Sequence, residues 1–166
     1  MSQATGPKAI ARSVDMKRVT IPLAVSLTIA SPRSAVWEEL SRIEDHVKWM
    51  SDAVAIRFLG ERHRGVGTLF VCDTKVGPIR VADRMEIIEW EEGHAIAVRH
   101  QGLISGSGRF LLEEEGVATT LFWNEDLAFP WWLGSTVGAW VARPVLVSLW
   151  RKNLQRHRSR IETLAP

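Results

Sequence analysis

Three ionisable residues stand in positions that otherwise belong to apolar side chains. Asp83 shares its strand phase with Val81 and Met85, Glu125 with Trp123 and Leu127, and His100 with Ile96 and Val98. In a strand, residues i and i+2 point to one face, so each of the three falls on an apolar face. A buried lone charge is costly and must find a partner or shift its pKa. Two carboxylates and one imidazole together could act as acid and base, or orient the polar end of a ligand. The plainer reading puts them at strand ends or a sheet edge, where they reach water or pair with arginine. His100 precedes a turn and is read as a rim residue. Asp83, Glu125 and His100 are therefore the catalytic candidates if the chain is an enzyme, and the sequence leaves that question open.

Other site chemistry is missing. The five histidines, at 46, 63, 94, 100 and 157, have no metal-ligand spacing. There is no phosphate-binding loop, dinucleotide fingerprint or nucleophile elbow, and the glycines between 102 and 108 bridge two strands. A single cysteine, Cys72, rules out an intrachain disulfide and reads as a small packing residue inside a strand. Neither a metal nor another cofactor is expected.

The elements that must position these residues follow from periodicity. Ile21, Leu23, Val25, Leu27 and Ile29 alternate with small or polar residues, the pattern of a half-buried strand. Ser31-Pro32 then reads as a helix start, with Ser31 as cap and Pro32 in the first turn. A second short helix follows, with Asp45 as its cap and His46, Trp49 and Met50 inside or just beyond it. Strands are expected around 54–58, 68–76, 79–91, 96–98, 108–112 and 118–128, separated by turns containing glycine. From about Trp131 to Ile161 the pattern is helical, with Pro144 expected to kink it. Successive strands joined by tight turns imply an antiparallel sheet. The fold class is α+β: a curved antiparallel sheet of about seven strands wrapped round a long C-terminal helix, with two short helices after the first strand. Such a sheet and helix leave room for a cavity between them.

The chain has 166 residues, 46% of them hydrophobic, which suits one domain with a sizeable core. Its net charge of +2 is uneven. Residues 1–18 carry four basic groups and one acidic, 151–166 five and one, and the body between them 12 and 17. An acidic body with basic ends argues against a nucleic-acid binder, whose basic stripe lies on the folded domain. Arg151, Lys152, Arg156, Arg158 and Arg160 read as a solvated helix end, with attraction to anionic lipid as the alternative. Residues 1–18 are read as a tail without a secretory signal, and 19–163 as the single domain. The expected setting is cytoplasmic, with peripheral membrane contact as a further option.

The stretch from Leu127 to Trp150 has Arg143 as its single charge. It is long enough to cross a bilayer, but Pro130, Gly134, Gly138, Arg143 and Pro144 interrupt it, and a buried helix fits better. Phe129, Trp131 and Trp132 could form an apolar lip at an entrance, or fold down over the core. Gly134, Gly138 and Ala142 recur every four residues, a stripe that either leaves space for a ligand or lets the helix pack closely.

The order of elements resembles the helix-grip fold of the SRPBCC superfamily, which includes polyketide cyclases and StAR-related lipid-transfer domains. The matching stretches are Ser31-Pro32 with Val36-Trp37, His46 with Trp49-Met50, Gly65-Val66-Gly67 and Glu86-Ile87-Ile88-Glu89-Trp90. They continue with Gly106 to Phe110, Trp123-Asn124-Glu125-Asp126-Leu127, and Arg143-Pro144 through Asn153-Leu154. The last segment is similar to the bacterial polyketide cyclase/dehydrase members. The resemblance covers about 19–163 and implies a small hydrophobic ligand held between sheet and helix: a lipid, isoprenoid, quinone or polyketide. The lining it implies is Trp49, Met50, Phe70, Val81, Asp83, Met85, Val98, Phe110, Leu112, Trp123, Glu125, Leu127, Gly134, Gly138 and Val141. A carrier or ligand-binding protein is the first expectation and a polyketide cyclase/dehydratase-type enzyme the alternative, because a fold does not set a function. Oligomeric state is not readable from these residues.

Overall fold

In a computed structural model, residues 18–130 and 135–164 are described, with side chains from 20–130 and 141–164. Seven strands form one open antiparallel sheet: β1 (Arg18–Ile29), β2 (Ala53–Phe58), β3 (Leu69–Val76), β4 (Ile79–Glu91), β5 (Ala95–Gln101), β6 (Ser105–Glu115) and β7 (Ala118–Pro130). Their order is β1-β7-β6-β5-β4-β3-β2, so β1 and β2 are the edges. Each strand from β2 to β6 pairs with the next in sequence, and β1 closes onto β7. Helix α1 (Arg33–Leu40) and a 3-10 segment (Ile43–Lys48) lie between β1 and β2, and helix α2 (Ser135–Leu164) ends the chain.

The sheet buries the face that α2 covers. Ile21, Leu23, Val25 and Ile29 of β1 are buried while their even-numbered neighbours are exposed. Phe70, Ile87, Ile96, Phe110, Leu112, Leu121, Trp123 and Leu127 continue this inner face, and α2 adds Leu146, Val147, Trp150, Leu154 and Ile161. Trp49, at the end of the 3-10 segment, sits edge-on to Trp123 and Phe110, and Trp123 stacks at 5.0 Å on Trp150. A bulge between Ile87 and Glu89 shifts the β4–β5 register. Such an extra residue bends and twists a strand, and so helps the sheet to curl.

Three local readings need correction. Helix α1 begins at Arg33, with Pro32 in the capping position, and the Ser31 hydroxyl makes no cap bond. The carbonyl of extended Pro32 already accepts from Ala35 and Val36, which moves the start by one residue. Asp45 lies inside the 3-10 segment instead of capping it, and pairs with Lys48. Val54 is 55% exposed and Ala53 is buried, because the β2–β3 register shifts between Ala53 and Ala55.

Candidate functional site

Strand register builds a polar cluster in the middle of the apolar inner face. Cys72 pairs with Asp83, and Met85 with His100. His100 pairs in turn with Gly106 of β6, while Gly108 pairs with Glu125 and Glu125 with Leu23. Asp83, His100 and Glu125 thus come from three strands. Asp83 is 3% exposed and Glu125 7%. The Nε2 of His100 stands 3.3 Å from Oε2 of Glu125, and its side chain is only 10% exposed. His100 is therefore no rim residue: its ring turns inward along β5, to a carboxylate two strands away.

Each carboxylate has a seat made by a glycine. A Cβ on Gly108 would collide with the Glu125 carboxylate, 2.5 Å from its Cδ. A Cβ on Gly102 would collide with Oδ1 of Asp83, 3.0 Å from its Cγ. Nothing larger than hydrogen fits at either position without moving a buried acid. The Trp123 indole N–H donates to Oε1 of Glu125 at 2.8 Å, and backbone N–H groups of Ile104 and Leu103 donate to the Asp83 carboxylate. Oδ1 of Asp83 and Nδ1 of His100 remain buried without a hydrogen-bond partner, and His100 Nε2 and Glu125 Oε2 have only their 3.3 Å ion-pair contact with each other.

The electrostatics follow from this packing. Burial pushes the Asp83 carboxyl above the usual carboxylate range, against the opposing pull of His100. Burial alone would lower His100, but Glu125 and then Asp83 outweigh it and hold the imidazole above its ordinary value. A third acid, Asp52, accepts from the Asn153 amide at 2.7 Å and is pushed up by burial and by the field of Glu125. Cys72 beside them is buried, its thiol pushed up to about 11 by desolvation. Chemically, an imidazole held between two carboxylates can pass a proton or hold a hydrogen-bonding group.

The remaining expected lining residues divide. Trp49, Phe70, Phe110, Leu112, Trp123 and Leu127 are in the buried core, and Met50, Met85, Val98 and Phe129 pack against it partly buried. Val81 is half-buried in the same phase as Asp83. Val141 is 67% exposed. It precedes buried Trp150 by nine residues, which at about 100° per residue puts it half a turn away, on the outer side of α2. Gly138 lies in the part of α2 whose side-chain surroundings are not described, and Gly134, Trp131 and Trp132 lie outside the described residues.

Asp52 and Asn153 were not anticipated. The legible signal was on the helix: Trp150, Asn153, His157 and Ile161 recur at spacings of three and four, so Asn153 belongs to the buried face. A second buried group forms at this end of α2. His157 stacks on Trp49 at 4.5 Å and neither ring nitrogen has a partner, while His46 Nε2 lies 2.7 Å from the Leu40 carbonyl. Burial drives both histidines down, His46 to about 4 and His157 to about 3. An open groove on the outer side of α2, lined by Lys152, Gln155, Arg156 and Ser159, shares no residue with either group. Among the described residues, no group of three His, Cys, Asp or Glu could hold a metal ion, and no helix is long and apolar enough to cross a membrane.

The sequence matches no protein-family model and no curated protein. Solved structures do match. An aromatase/cyclase (Zhui) from Streptomyces sp. R1128 superposes with a TM-score of 0.67 at 17% identity, over 87% of this chain and 94% of that one. A START superfamily protein from Mycobacterium smegmatis gives 0.69 at 14%, over 87% and 99%. Norcoclaurine synthase from Thalictrum flavum, solved with dopamine and hydroxybenzaldehyde, gives 0.68 at 13%, over 100% and 99%. This chain has the helix-grip fold. The curved seven-stranded sheet, the two short helical segments after β1 and the long α2 are the parts of that fold, and the Asp83–His100–Glu125 cluster lies on the inner face of the grip.

Proposed function

We propose that this helix-grip domain binds a small molecule with an apolar body, held between the sheet and α2, its polar end against Asp83, His100 and Glu125. The observation that carries this reading is the buried cluster itself. Buried polar atoms in a folded protein are almost always hydrogen-bonded, yet Oδ1 of Asp83 and Nδ1 of His100 are not. Two glycines make room for the acids that bring these atoms to an apolar face. A ligand that supplies the missing partners would gain the hydrogen bonds, and its body would gain about 25 cal/mol per Å² of apolar area buried, less the cost of ordering. The ligand class is lipid, isoprenoid, quinone or polyketide.

Native mass spectrometry of the protein purified from cells, with release of any bound molecule, tests this. A one-to-one adduct of an apolar small molecule is expected, and Met85→Trp, which fills the inner face beside His100, should abolish it. If neither purified protein nor added apolar probes give an adduct that Met85→Trp removes, the binding reading fails.

A second reading rests on His100. An imidazole held above its ordinary value by Glu125, beside an Asp83 carboxyl held high by burial, has the make-up of an acid–base pair. In that case the domain is an enzyme of polyketide cyclase or dehydratase type, and the cluster moves protons on a chain that the grip folds. Turnover of polyketide-like substrates that falls at least about a hundredfold in both Asp83→Asn and Glu125→Gln would support it. Turnover unaffected by either would remove it.

A further inference from the structure

Resting on the binding reading, we infer that the polar end of the ligand is an uncharged hydroxyl, and that amphiphiles ending in a carboxylate are rejected. The protonation states of the cluster decide the charge. Two carboxyl groups, Asp83 and Glu125, face the single imidazole of His100. The acids outnumber the one basic group that could meet an anion. Asp52, within the field of Glu125, adds a further acid.

Among the described residues, no arginine or lysine acts on Asp83 or His100. The charges acting on His100 are Glu125 and Asp83, and the one acting on Asp83 is His100. From Leu127 to Ala142 the sequence has no charged residue. Arg143 is exposed and donates to the Pro22 carbonyl. A carboxylate brought to this face would be stripped of water beside two acids with, among the described residues, His100 alone to meet it, and an unpaired buried charge is the costliest group to desolvate.

The unpartnered atoms specify the complement. Oδ1 of Asp83 needs a donor, and Nδ1 of His100 can donate when protonated. A hydroxyl supplies a donor and an acceptor in one group. An ammonium can only donate, and must lose its hydration as well.

Isothermal titration with 1-naphthol, 1-naphthoate and 1-naphthylmethylammonium at pH 7 compares one apolar body with three ends. Naphthol should bind at least about tenfold more tightly than either ion, a difference of about 1.4 kcal/mol. In the Asp83→Asn, Glu125→Gln double variant, with folding checked by circular dichroism, naphthoate should gain and the gap should close. Naphthoate binding as tightly as naphthol, or the ammonium binding most tightly, overturns this inference while leaving the binding reading intact. Failure of all three to bind overturns the binding reading itself.

Discussion

The molecule buries histidine in two different surroundings. His100 lies against Glu125 and Asp83, and is held above its ordinary pKa. His157 and His46 lie against Trp49 at the C-terminal end of α2 and are driven to about 3 and about 4. One side chain thus serves two purposes. Beside aromatic rings desolvation wins, over the Leu40 carbonyl, Glu44 and Asp45 that pull His46 upward, and the imidazole becomes a neutral packing disc. Between two buried acids, attraction to Glu125 and Asp83 outweighs burial, and the ring is held above its ordinary value, incompletely bonded on an apolar face. The first arrangement makes a core; the second is where we propose the site.

The largest expected effect separates the two by pH. His46 and His157 have folded values below the unfolded value of 6.5, so their contribution is complete above that pH and is lost as pH falls toward 4 and 3. Each should remove about 1.4 kcal/mol of stability per pH unit over that range. His157→Phe should therefore lower the acid slope of denaturant-derived stability between pH 6 and 5 by about 1 kcal/mol per pH unit, whatever the opposite-signed contributions of the raised Asp52 and Asp83; an unchanged slope would break the comparison. His100 has the opposite sign. Its folded value is raised, so its contribution is complete below 6.5 and is lost as pH rises from there through the higher folded value.

A smaller effect tests the glycine seats. Gly108→Ala should cost about 1–3 kcal/mol by overpacking, seen as a lower denaturant midpoint, because its Cβ meets the buried Glu125 carboxylate. Combining it with Glu125→Ala should recover part of the loss, and equal losses in both backgrounds would show that the carboxylate is not what the glycine accommodates. Smaller still is the convex face. Arg109 and Glu89 make a two-bond ion pair at 2.8 and 2.9 Å, but both side chains are more than a third exposed. Arg109→Ala should change stability by less than about 1 kcal/mol, and less in high salt.

Much of this was legible in the sequence, for physical reasons. Strand phase follows from period two, and it puts Asp83, His100 and Glu125 in step with apolar neighbours, though the plainer reading left them at strand ends or a sheet edge with His100 on the rim. Seven strands, two short helical segments and a long last helix follow from turn glycines and periodicity. The depth of His100 was not legible, because its partner Glu125 comes from β7 and reaches it across Gly108 of β6. A glycine that makes room for an acid looks in sequence like a glycine that makes a turn. Val141 was misplaced because the helix around it is apolar on all sides, and only buried Trp150, Asn153 and Leu154 reveal the phase. The start of α1 moved because Pro32 can cap as well as begin a helix.

The central claim is that a ligand's polar end rests on the carboxylate-bound histidine. It can be tested directly by following the side-chain nitrogen resonances of all five histidines by NMR while 1-naphthol is added. The account predicts that the His100 resonances move and saturate with one equivalent, while His46 and His157 stay still. Saturable binding that leaves His100 unmoved, or that moves only the exposed His63, would contradict it.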